Sequence, residues 1–362
     1  MKIIFATGGT GGHLYPAIAL AKYIESHYDS TEFLFVGTTN RLESKVIPEM
    51  GYAYRGVHVL GLAGSPLQKA KALGVFAASL RVTRKIVKEF KPDLVIGFGG
   101  YVSASIVMSA SSLGIKTMIH EQNSLIGLAN KILIKRVDKI ICCYDKAYEN
   151  FPKEKTLLLG NPRATEVVES KKDLDIKKKY HLDPNKKTVL IVMGSLGSAT
   201  VNDILKDTVE KFKDKTYQII LVTGKNGYDK MIQEVQQVPH NVSIVPYIND
   251  MPSLLSACDL VVSRAGASTI AELTALGSAM ILIPSPYVAS NHQEYNAMEL
   301  VNKQAARMIK ENELTSERLI EEIDQLFNDS FTLITMKENA KKLGKVNACA
   351  DISKVMMELI GK

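Results

Sequence analysis

The chain carries the same local pattern twice, and this repetition constrains the fold more than any other feature. The apolar run Lys2–Ala6 leads into the glycine cluster at 8–12, and apolar residues then recur at helical spacing from 13 to 28. A second apolar run at 188–193 leads into the small-residue turn 194–198, and another helical pattern follows. A strand, a glycine-rich turn and a helix in this order favour a parallel sheet, because the helix returns the chain to the start of the next strand.

Further apolar runs extend both series, and a break at 160–163 followed by a lysine-rich segment separates them. The runs are 32–36, 94–96, 117–119 and 139–142 in the first series, and 218–222, 242–245, 260–262 and 280–283 in the second. Continuous β-branched runs that alternate with helices indicate parallel sheets covered on both faces. We therefore predict an α/β fold of two Rossmann-like, doubly wound domains facing each other across a cleft. The predicted domains are 1–161 and 162–341, with a terminal helix at 342–362 that packs back on the first.

Composition limits the classes of partner. The net charge of +7 favours an anionic partner such as a nucleotide diphosphate or an acidic lipid. Trp is absent and aromatic residues make up 7% of the chain, so we expect no nucleic acid, whose single strands need aromatic stacking surfaces. The four cysteines form no C-x-x-C pair, which is typical of reduced thiols in a cytosolic protein.

One uncharged stretch, 94–115, requires a decision between a membrane span and a buried element. It contains several glycines and five serines, which insert poorly into a bilayer. We interpret it as a buried strand, a turn and a helix. No secretory signal is predicted at the first residues, because the apolar run there is short and ends at glycines.

The glycine cluster at 8–12 and the adjacent His13 are the first candidate site. The glycines allow close approach of a ligand and leave amide groups at a helix start, which suits a pyrophosphate or a sugar. The cluster lacks the G-x-G-x-x-G spacing and the Walker A lysine, and a purely structural turn is the alternative. At a helix N-terminus His13 is favoured in its neutral form, so it is either a general base or a structural histidine.

Three other polar sites, with four residues in all, are candidates, and two of them have a structural alternative. His120 and Glu121 open a polar group at 120–123 that could contact or position an acceptor, or could belong to the loop structure alone. Glu272 lies one turn into a helix, where it could bind ribose hydroxyls or complement the helix dipole. Gln293 opens a later helix and could bond sugar hydroxyls. The Asp173-Leu174-Asp175 pattern resembles a metal motif but sits among lysines, and we predict no metal site.

The segment 69–88 has a basic amphipathic pattern with two interpretations. Its apolar residues alternate with six lysines and arginines at helical spacing. Such a helix can lie on an anionic membrane surface. It can equally pack on the core with a solvated basic face, and the sequence leaves both interpretations open.

Taken in order, these motifs resemble the MurG family over essentially the whole chain. The motifs are 8–13, 97–101, 120–123, 160–163, 264–267 with Glu272, and 293–297. The resemblance implies the GT-B fold and an inverting UDP-N-acetylglucosamine transferase of peptidoglycan synthesis. The second glycine loop departs from the usual family pattern, because Met193 stands where many relatives have glycine and Ser198 where they have alanine.

The resemblance also implies roles for individual residues. His13 matches the proposed general base, and Glu272 matches the residue that binds the ribose. Ser195 matches a residue that approaches the pyrophosphate, and the backbone of Ile248 one that reads the uracil. The remaining matches are donor-binding or acceptor-side positions: Thr10, Gly11, Gly12, Asn123, Arg163 and Gln293.

The implied reaction joins N-acetylglucosamine from UDP-N-acetylglucosamine to the muramyl 4-hydroxyl of lipid I, giving lipid II and UDP. No cofactor is expected, and the expected location is the cytoplasmic face of the plasma membrane, as a peripheral protein. Three alternatives stay open: another lipid acceptor such as diacylglycerol, a non-catalytic UDP-sugar sensor, and a nicotinamide-dependent oxidoreductase. The last requires an acid after the second strand, where 37–40 carries none.

Overall fold

A computed structural model describes residues 1–61, 64–194 and 197–362. The chain divides into two compact units. Unit 1 comprises Met1–Thr165 together with Asn347–Lys362, and unit 2 comprises Glu166–Val346.

The strands and helices of the described residues follow in chain order. The strands are β1 (Lys2–Ala6), β2 (Glu32–Thr38), β3 (Ala53–Val57), β4 (Leu94–Gly97), β5 (Lys116–Glu121), β6 (Lys139–Cys142), β7 (Thr156–Leu158), β8 (Thr188–Val192), β9 (Gln218–Val222), β10 (Val242–Val245), β11 (Leu260–Ser263), β12 (Ala279–Leu282) and β13 (Arg307–Met308). The α-helices are α1 (Gly11–His27), α2 (Glu43–Glu49), α3 (Pro66–Phe90), α4 (Gly100–Ser111), α5 (Leu128–Leu133), α6 (Asp145–Glu149), α7 (Arg163–Glu169), α8 (Ala199–Val209), α9 (Lys225–Glu234), α10 (Met251–Ala257), α11 (Ala267–Leu276), α12 (His292–Val301), α13 (Ser316–Asn328), α14 (Ser330–Leu343) and α15 (Ala348–Ile360).

Unit 1 is built on a seven-stranded parallel sheet in the order β3-β2-β1-β4-β5-β6-β7. Its central strand β1 is buried from Ile3 to Ala6 and pairs in register with β2 and β4. A parallel strand covered by helices on both faces must be apolar on both sides, which explains the unbroken apolar runs in the sequence. The strand order reverses beside β1, and ligands of open α/β sheets bind at such a switch point, outside the carboxyl ends of the strands.

Unit 2 repeats this architecture with a six-stranded parallel sheet in the order β10-β9-β8-β11-β12-β13. The first strand of the unit, β8, is buried throughout and pairs with β9 and β11. The prediction of two Rossmann-like α/β halves is therefore confirmed. The glycine-rich turn of each unit follows its first strand.

The sequence prediction missed three strands, β3, β7 and β13, which all lie at sheet edges. β3 has exposed residues at Ala53, Arg55 and Gly56 and lacks a continuous apolar run. Edge strands need only one covered side, so their sequences carry a weaker signal than central strands. The segment expected to form the terminal helix, 342–362, contains the end of α14 and the whole of α15, and α15 contributes Cys349, Ile352 and Met356 to the core of unit 1.

The uncharged stretch 94–115 forms β4, a turn and α4, as predicted. Eight residues of α4 are buried, including Ser103, Ser105 and Ser109. The hydroxyl of Ser105 bonds to Ser79 at 2.8 Å, which satisfies a polar group inside the helix interface. No helix in the described part of the chain combines the length and apolar character needed to cross a bilayer.

Candidate active site

The first glycine loop joins β1 to α1 and holds His13 in a defined orientation. His13 Nδ1 donates to the carbonyl oxygen of Gly8 at 2.7 Å and lies 3.3 Å from Thr10 Oγ1. A carbonyl oxygen only accepts, so the ring carries its proton on Nδ1 when neutral, and Nε2 then bears the lone pair. This tautomer is the one that a general base acting through Nε2 requires.

The beginning of α1 offers backbone amides to a ligand. The helix starts at Gly11, and its N-cap Thr10 is extended and makes no side-chain cap within the described structure. The first amides of a helix without a capping side chain attract anions and polar groups. Thr10 is exposed, and Gly11 and Gly12 are half-buried, so the predicted loop residues lie where a ligand can reach them.

A second glycine pair, Gly99 and Gly100, packs directly against this loop. A β-carbon on Gly99 would lie 2.8 Å from His13 Cδ2 and Nε2, and one on Gly100 would lie 2.9 Å from the Gly8 carbonyl oxygen. Both glycines have positive φ angles, 110° and 84°. Only glycine combines this backbone conformation with so close an approach. The turn after β4 therefore packs directly against the His13 ring and limits its movement.

Glu43, at the start of α2, lies beneath the first glycine loop, and sequence reasoning missed it. Its side chain is 1% exposed, and its Oε1 accepts bonds from Gly9 N at 3.2 Å and from Thr38 N at 3.0 Å. Thr38 Oγ1 donates to the same oxygen at 2.7 Å. Burial opposes ionisation, but these hydrogen bonds outweigh it and hold the pKa of Glu43 below its usual value.

This carboxylate also bears on the oxidoreductase alternative. The prediction found no acid in 37–40, after the second strand, yet the structure brings Glu43 back to the end of β2. A ribose-binding acid would present its oxygens to the ligand side of the sheet. Glu43 instead bonds Thr38 and the Gly9 backbone, so it supports the loop from beneath.

His120 and Glu121 are the last two residues of β5 rather than part of a turn after it. Both are buried, at 0% and 1% exposure. His120 Nε2 donates to the Gly160 carbonyl oxygen at 3.0 Å, and burial lowers the pKa of His120 to about 4. Glu121 accepts from the backbone amides of Asn123, at 3.0 Å, and Gly127, at 2.8 Å. Their geometry does not present them to an acceptor, because both side chains are buried and hydrogen-bonded to backbone groups of unit 1.

Asn123 and Arg163 lie on the loops that these buried residues support, and both are half-buried. The Asn123 amide is bonded to Glu121, and the Arg163 amide donates to Asn161 Oδ1 at 3.0 Å. The Arg163 guanidinium lies over the ring of Tyr15, 5.9 Å from its centroid. Arg163 is therefore associated with the helix that carries His13.

The second glycine loop opens the candidate site of unit 2. Gly194 and Gly197 have positive φ angles of 90° and 73°. A β-carbon on Gly197 would lie 2.0 Å from the Thr223 carbonyl oxygen, so no other residue fits there. Ser195, the expected pyrophosphate contact, lies outside the described residues. The loop leads into α8, whose N-cap Ser198 makes no side-chain cap in the described structure.

Arg264, after β11, ties three parts of unit 2 together. Its guanidinium donates to Ser198 Oγ at 2.8 Å and to the Ile283 carbonyl oxygen at 3.1 Å, and it forms an ion pair with Glu311. The side chains of Arg264 and Glu311 are 11% and 5% exposed. A buried ion pair with further hydrogen bonds fixes geometry, so Arg264 holds the glycine loop against the end of β12.

A cavity of 360 Å³ lies beside this loop. Its lining includes Met193, Gly197, Ser198, Ala199, Thr200, Arg264, Ser285, Tyr287 and Gln293. Gln293 Oε1 accepts from the Ser285 amide at 2.9 Å, which leaves its amide nitrogen as the donor end of the side chain. The predicted residue Gln293 and the second glycine loop thus share one cavity.

The other predicted residues of unit 2 are buried near strand ends. Glu272 is 7% exposed in the second turn of α11, and Ile248 is 3% exposed in the loop after β10. Ser268, in the first turn of α11, has a buried hydroxyl with no hydrogen-bond partner among the described residues. An unsatisfied hydroxyl at a helix start is a position where a ligand oxygen would supply the missing bond.

The two aspartates of the candidate metal motif are engaged with lysines. Asp173 pairs with Lys179 at 2.6 Å, and Asp175 pairs with Lys178 at 2.7 Å. In the parts of the chain that the structure covers, no group of three or more His, Cys, Asp or Glu side chains could hold a metal ion.

The helix α3 shows both features that the sequence left open. One face packs on α4 through Ala72, Ser79, Thr83 and Ile86, so the core interpretation is correct for that face. The opposite face exposes Leu67 at 81% and further apolar and basic side chains: Leu73, Val82, Lys69, Lys71, Arg81, Lys85 and Lys88.

Comparison with known proteins adds family information to this geometry. The glycosyltransferase family 28 N-terminal domain matches residues 3–142, and the glycosyltransferase family 28 C-terminal domain matches residues 188–355. The UDP-N-acetylglucosamine--N-acetylmuramyl-(pentapeptide) pyrophosphoryl-undecaprenol N-acetylglucosamine transferase 1 of Bacillus cereus is 44% identical over 365 residues, covering 100% of both chains. The transferase of Pediococcus pentosaceus that carries this name without a number is 43% identical over 359 residues, covering 98% of this chain and 99% of its own.

Solved structures show the same fold. The crystal structure of Acinetobacter baumannii MurG has a TM-score of 0.80 and 24% identity, covering 99% of both chains. The UDP-GlcNAc 2-epimerase of Neisseria meningitidis, bound to UDP-GlcNAc, has a TM-score of 0.68 and 15% identity, covering 99% of this chain and 100% of its own. At these identities the structures establish the architecture alone.

Proposed function

The chain belongs to the MurG family of glycosyltransferases, and from this premise we propose that it transfers N-acetylglucosamine from UDP-N-acetylglucosamine to the muramyl 4-hydroxyl of lipid I. The products are lipid II and UDP, an intermediate and a by-product of peptidoglycan synthesis. The observation that carries the chemical part of the proposal is the hydrogen bond from His13 Nδ1 to Gly8, because it places the lone pair of the neutral ring on Nε2.

Unit 1 supplies the base in this proposal. The acceptor oxygen attacks the anomeric carbon as the bond from that carbon to the diphosphate oxygen breaks, which inverts the configuration. His13 Nε2 takes the proton of the 4-hydroxyl, and UDP leaves as the anion. The exposed Thr10, the half-buried Gly11 and Gly12, and Asn123 line the approach to His13 and contact the sugars. Arg163 interacts with the donor.

Unit 2 holds the donor. Glu272 accepts the ribose hydroxyls, the backbone at Ile248 reads the uracil, and Gln293 bonds the N-acetylglucosamine hydroxyls from the shared cavity. Ser195 belongs to the glycine loop that approaches the pyrophosphate. These assignments follow the family motifs, and the burial of Glu272 together with the unsatisfied Ser268 hydroxyl supports a ligand at the start of α11.

Stabilisation of the leaving diphosphate needs positive potential at the second glycine loop. We propose that the N-termini of α8 and α11 provide it without an obligatory metal, and that Arg264, which is paired with Glu311, holds the loop in place. The pairing of Asp173 and Asp175 with lysines supports this, since neither carboxylate is placed as a ligand for a diphosphate-bound cation.

His120 and Glu121 act indirectly in this scheme. Their hydrogen bonds fix the loops that carry Asn123 and Gly160, so of the two roles that the sequence left open, acceptor contact and positioning, we assign them positioning. This follows from their complete burial, because a side chain with no exposed surface cannot touch a lipid-linked sugar without a rearrangement.

The lipid-linked acceptor lies in a membrane, and α3 offers a surface that can bind to one. Its exposed face combines leucines with lysines and arginines, which is the pattern of helices that lie in an anionic interface. We propose that this face contacts the membrane and that the protein is peripheral, at the cytoplasmic face.

The decisive experiment measures UDP release with UDP-N-acetylglucosamine and lipid I in detergent, against diacylglycerol and a no-acceptor control. UDP release that depends on lipid I supports the proposal. Release with diacylglycerol alone would favour another lipid acceptor, and donor binding without release would indicate a sensor.

The base assignment is tested in the same assay with His13→Ala. Turnover is expected to fall by roughly 10²–10⁴, the usual contribution of acid–base catalysis, while UDP affinity by calorimetry is retained. Near-normal turnover in a folded His13→Ala variant would refute the assignment of His13 as the base.

A further inference from the structure

The peptide group between Gly8 and Gly9 is hydrogen-bonded at both of its polar ends. Its carbonyl oxygen accepts from His13 Nδ1 at 2.7 Å, and its N–H donates to Glu43 Oε1 at 3.2 Å. One planar, conjugated amide therefore links the imidazole to the carboxylate. Hydrogen bonds in such a chain polarise one another, because an anion at the N–H raises the electron density on the carbonyl oxygen.

Three hydrogen bonds to Oε1 stabilise Glu43 as an anion against the cost of its burial. Thr38 donates two hydrogen bonds to the oxygen that also receives the Gly9 amide. The other oxygen, Oε2, is buried without a hydrogen-bond partner among the described residues. A buried carboxylate is unfavourable unless its interactions compensate, so simple filling of space does not explain a glutamate here.

The end of β2 is shaped around this side chain. A β-carbon on Gly37 would lie 2.5 Å from both Glu43 Cγ and the Tyr54 hydroxyl oxygen. The Tyr54 hydroxyl donates to the Thr38 carbonyl oxygen at 2.5 Å, which holds the segment that bonds Glu43. The absence of a side chain at position 37 thus admits the carboxylate beneath the glycine loop.

We propose that Glu43 is a positioning residue whose carboxylate acts on His13 through the Gly8–Gly9 peptide group. It fixes the Nδ1–H tautomer and makes Nε2 a stronger base. The arrangement has the logic of a nucleophile–histidine–carboxylate triad, with a peptide group inserted between the carboxylate and the ring. This inference rests on the proposed function, in which His13 is the general base.

The size of the effect follows from the length of the path. The two hydrogen bonds of 3.2 and 2.7 Å and the amide between them, about 2.3 Å from N to O, place Oε1 at most about 8 Å from Nδ1. With an effective dielectric constant of about 20, a unit charge at this distance changes a pKa by roughly 1.5. Loss of the Glu43 charge is therefore expected to lower the pKa of His13 by about 1.5.

Other titratable groups around His13 and Glu43 keep a constant charge near neutral pH. His120, on β5, interacts with His13, and burial lowers its pKa to about 4. Burial also raises the pKa of Tyr54, on β3, well above its usual value, and raises that of Cys143, which lies beside His120. These three groups therefore do not titrate together with His13 near neutral pH, whereas Glu43 is the anion whose charge the test removes.

The test uses the full chain labelled with ¹⁵N-histidine and a pH titration by NMR, with His13→Ala to assign the resonance among the seven histidines. The wild type is expected to show His13 as the Nδ1–H tautomer. Glu43→Gln, which keeps the size of the side chain, is expected to lower the pKa of His13 by about 1.5. Glu49→Gln, at the exposed end of the same helix, is the matched control and leaves that pKa unchanged.

Activity provides the second readout. In Glu43→Gln the acidic limb of the kcat/KM profile should move to lower pH, and kcat should fall about tenfold with an unchanged KM for UDP-N-acetylglucosamine. In a His13→Ala background the substitution should add no further loss, and Glu43→Asp should restore part of the shift.

The outcomes separate this inference from the proposed function. Two results would overturn the proposed action of Glu43 on His13, even if His13→Ala is inactive. One is an unchanged His13 pKa in folded Glu43→Gln, and the other is an equal loss of activity on Glu43→Gln substitution in the wild type and in His13→Ala. A lowered His13 pKa combined with an active His13→Ala variant supports the proposed action of Glu43 and overturns the assignment of the base.

Discussion

Gly99→Ala is expected to disable the site through a single added methyl group. The new β-carbon would lie 2.8 Å from His13 Cδ2 and Nε2, which is shorter than a β-carbon's van der Waals contacts allow. The residue would also keep a φ of 110°. The ring must move or the backbone must change. Either response breaks the alignment of His13 Nδ1 with the Gly8 carbonyl oxygen, because the contact pushes on the reactive edge of the ring.

The magnitude follows from two contributions. A non-glycine residue in this backbone region costs about 1–3 kcal/mol, and loss of the His13 hydrogen bond costs about 1 kcal/mol more. Together these contributions lower the free energy of unfolding by roughly 2–4 kcal/mol, which leaves a domain of typical stability folded. A displacement of about 1 Å in a catalytic group lowers turnover by about 10²-fold, which is the expected loss for Gly99→Ala.

The assay compares Gly99→Ala with Gly114→Ala by UDP release and by urea unfolding. Gly114 also has a positive φ, 74°, but its added β-carbon would meet no atom within 4 Å. Gly114→Ala should therefore lose stability and keep its turnover. The reasoning fails if the two variants have the same turnover, or if Gly99→Ala loses UDP affinity as strongly as it loses kcat.

Two further predictions concern pH and the membrane. The pKa of His120 is about 4 in the folded protein and about 6.5 in the unfolded chain, so the unfolded state binds the extra proton as the pH falls. The free energy of unfolding should therefore drop by up to about 3 kcal/mol between pH 6.5 and pH 4. Urea unfolding at several pH values should show a weaker pH dependence for His120→Gln, and the same pH dependence as in the wild type would contradict the burial argument. The double substitution Leu67→Ser with Leu73→Ser should weaken binding to anionic vesicles, measured by co-sedimentation, more than tenfold, because each leucine buried in the membrane contributes about 1.5–3 kcal/mol. Leu174 is 90% exposed in unit 2, and the control Leu174→Ser should leave vesicle binding unchanged. Equal binding by both leucine variants would refute a membrane contact at α3.

The sequence alone determined the α/β class and the order of most elements. Runs such as Lys2–Ala6, 139–142 and 218–222 became strands with the predicted bounds, since a central parallel strand is buried on both faces and must be continuously apolar. The glycine loops and His13 were also recognisable, because they follow the first strand of each unit. Of the four edge strands among the described residues, β3, β7 and β13 lacked this signal and were missed, whereas β10 was predicted.

Tertiary structure alone decided which of the candidate polar residues are exposed and which are buried and hydrogen-bonded internally. His120 and Glu121 stood out in the sequence as polar residues at a strand end, yet both are buried and bonded internally. Glu43 carried no sequence signal, since a glutamate in the first turn of a helix is ordinary. Its hydrogen bond to Gly9 joins residues 34 positions apart.

The division has a physical reason. Periodicity and glycine content report how each short segment meets solvent and its own backbone, and those are local properties of the sequence. The partner of a buried carboxylate depends on which strands become neighbours, and β2 beside β1 is what brings Thr38, Glu43 and the Gly8–Gly9 peptide together. The sequence by itself therefore determined the glycine loop and its histidine, whereas only the packing of α2 against the sheet decided that a charge lies behind them.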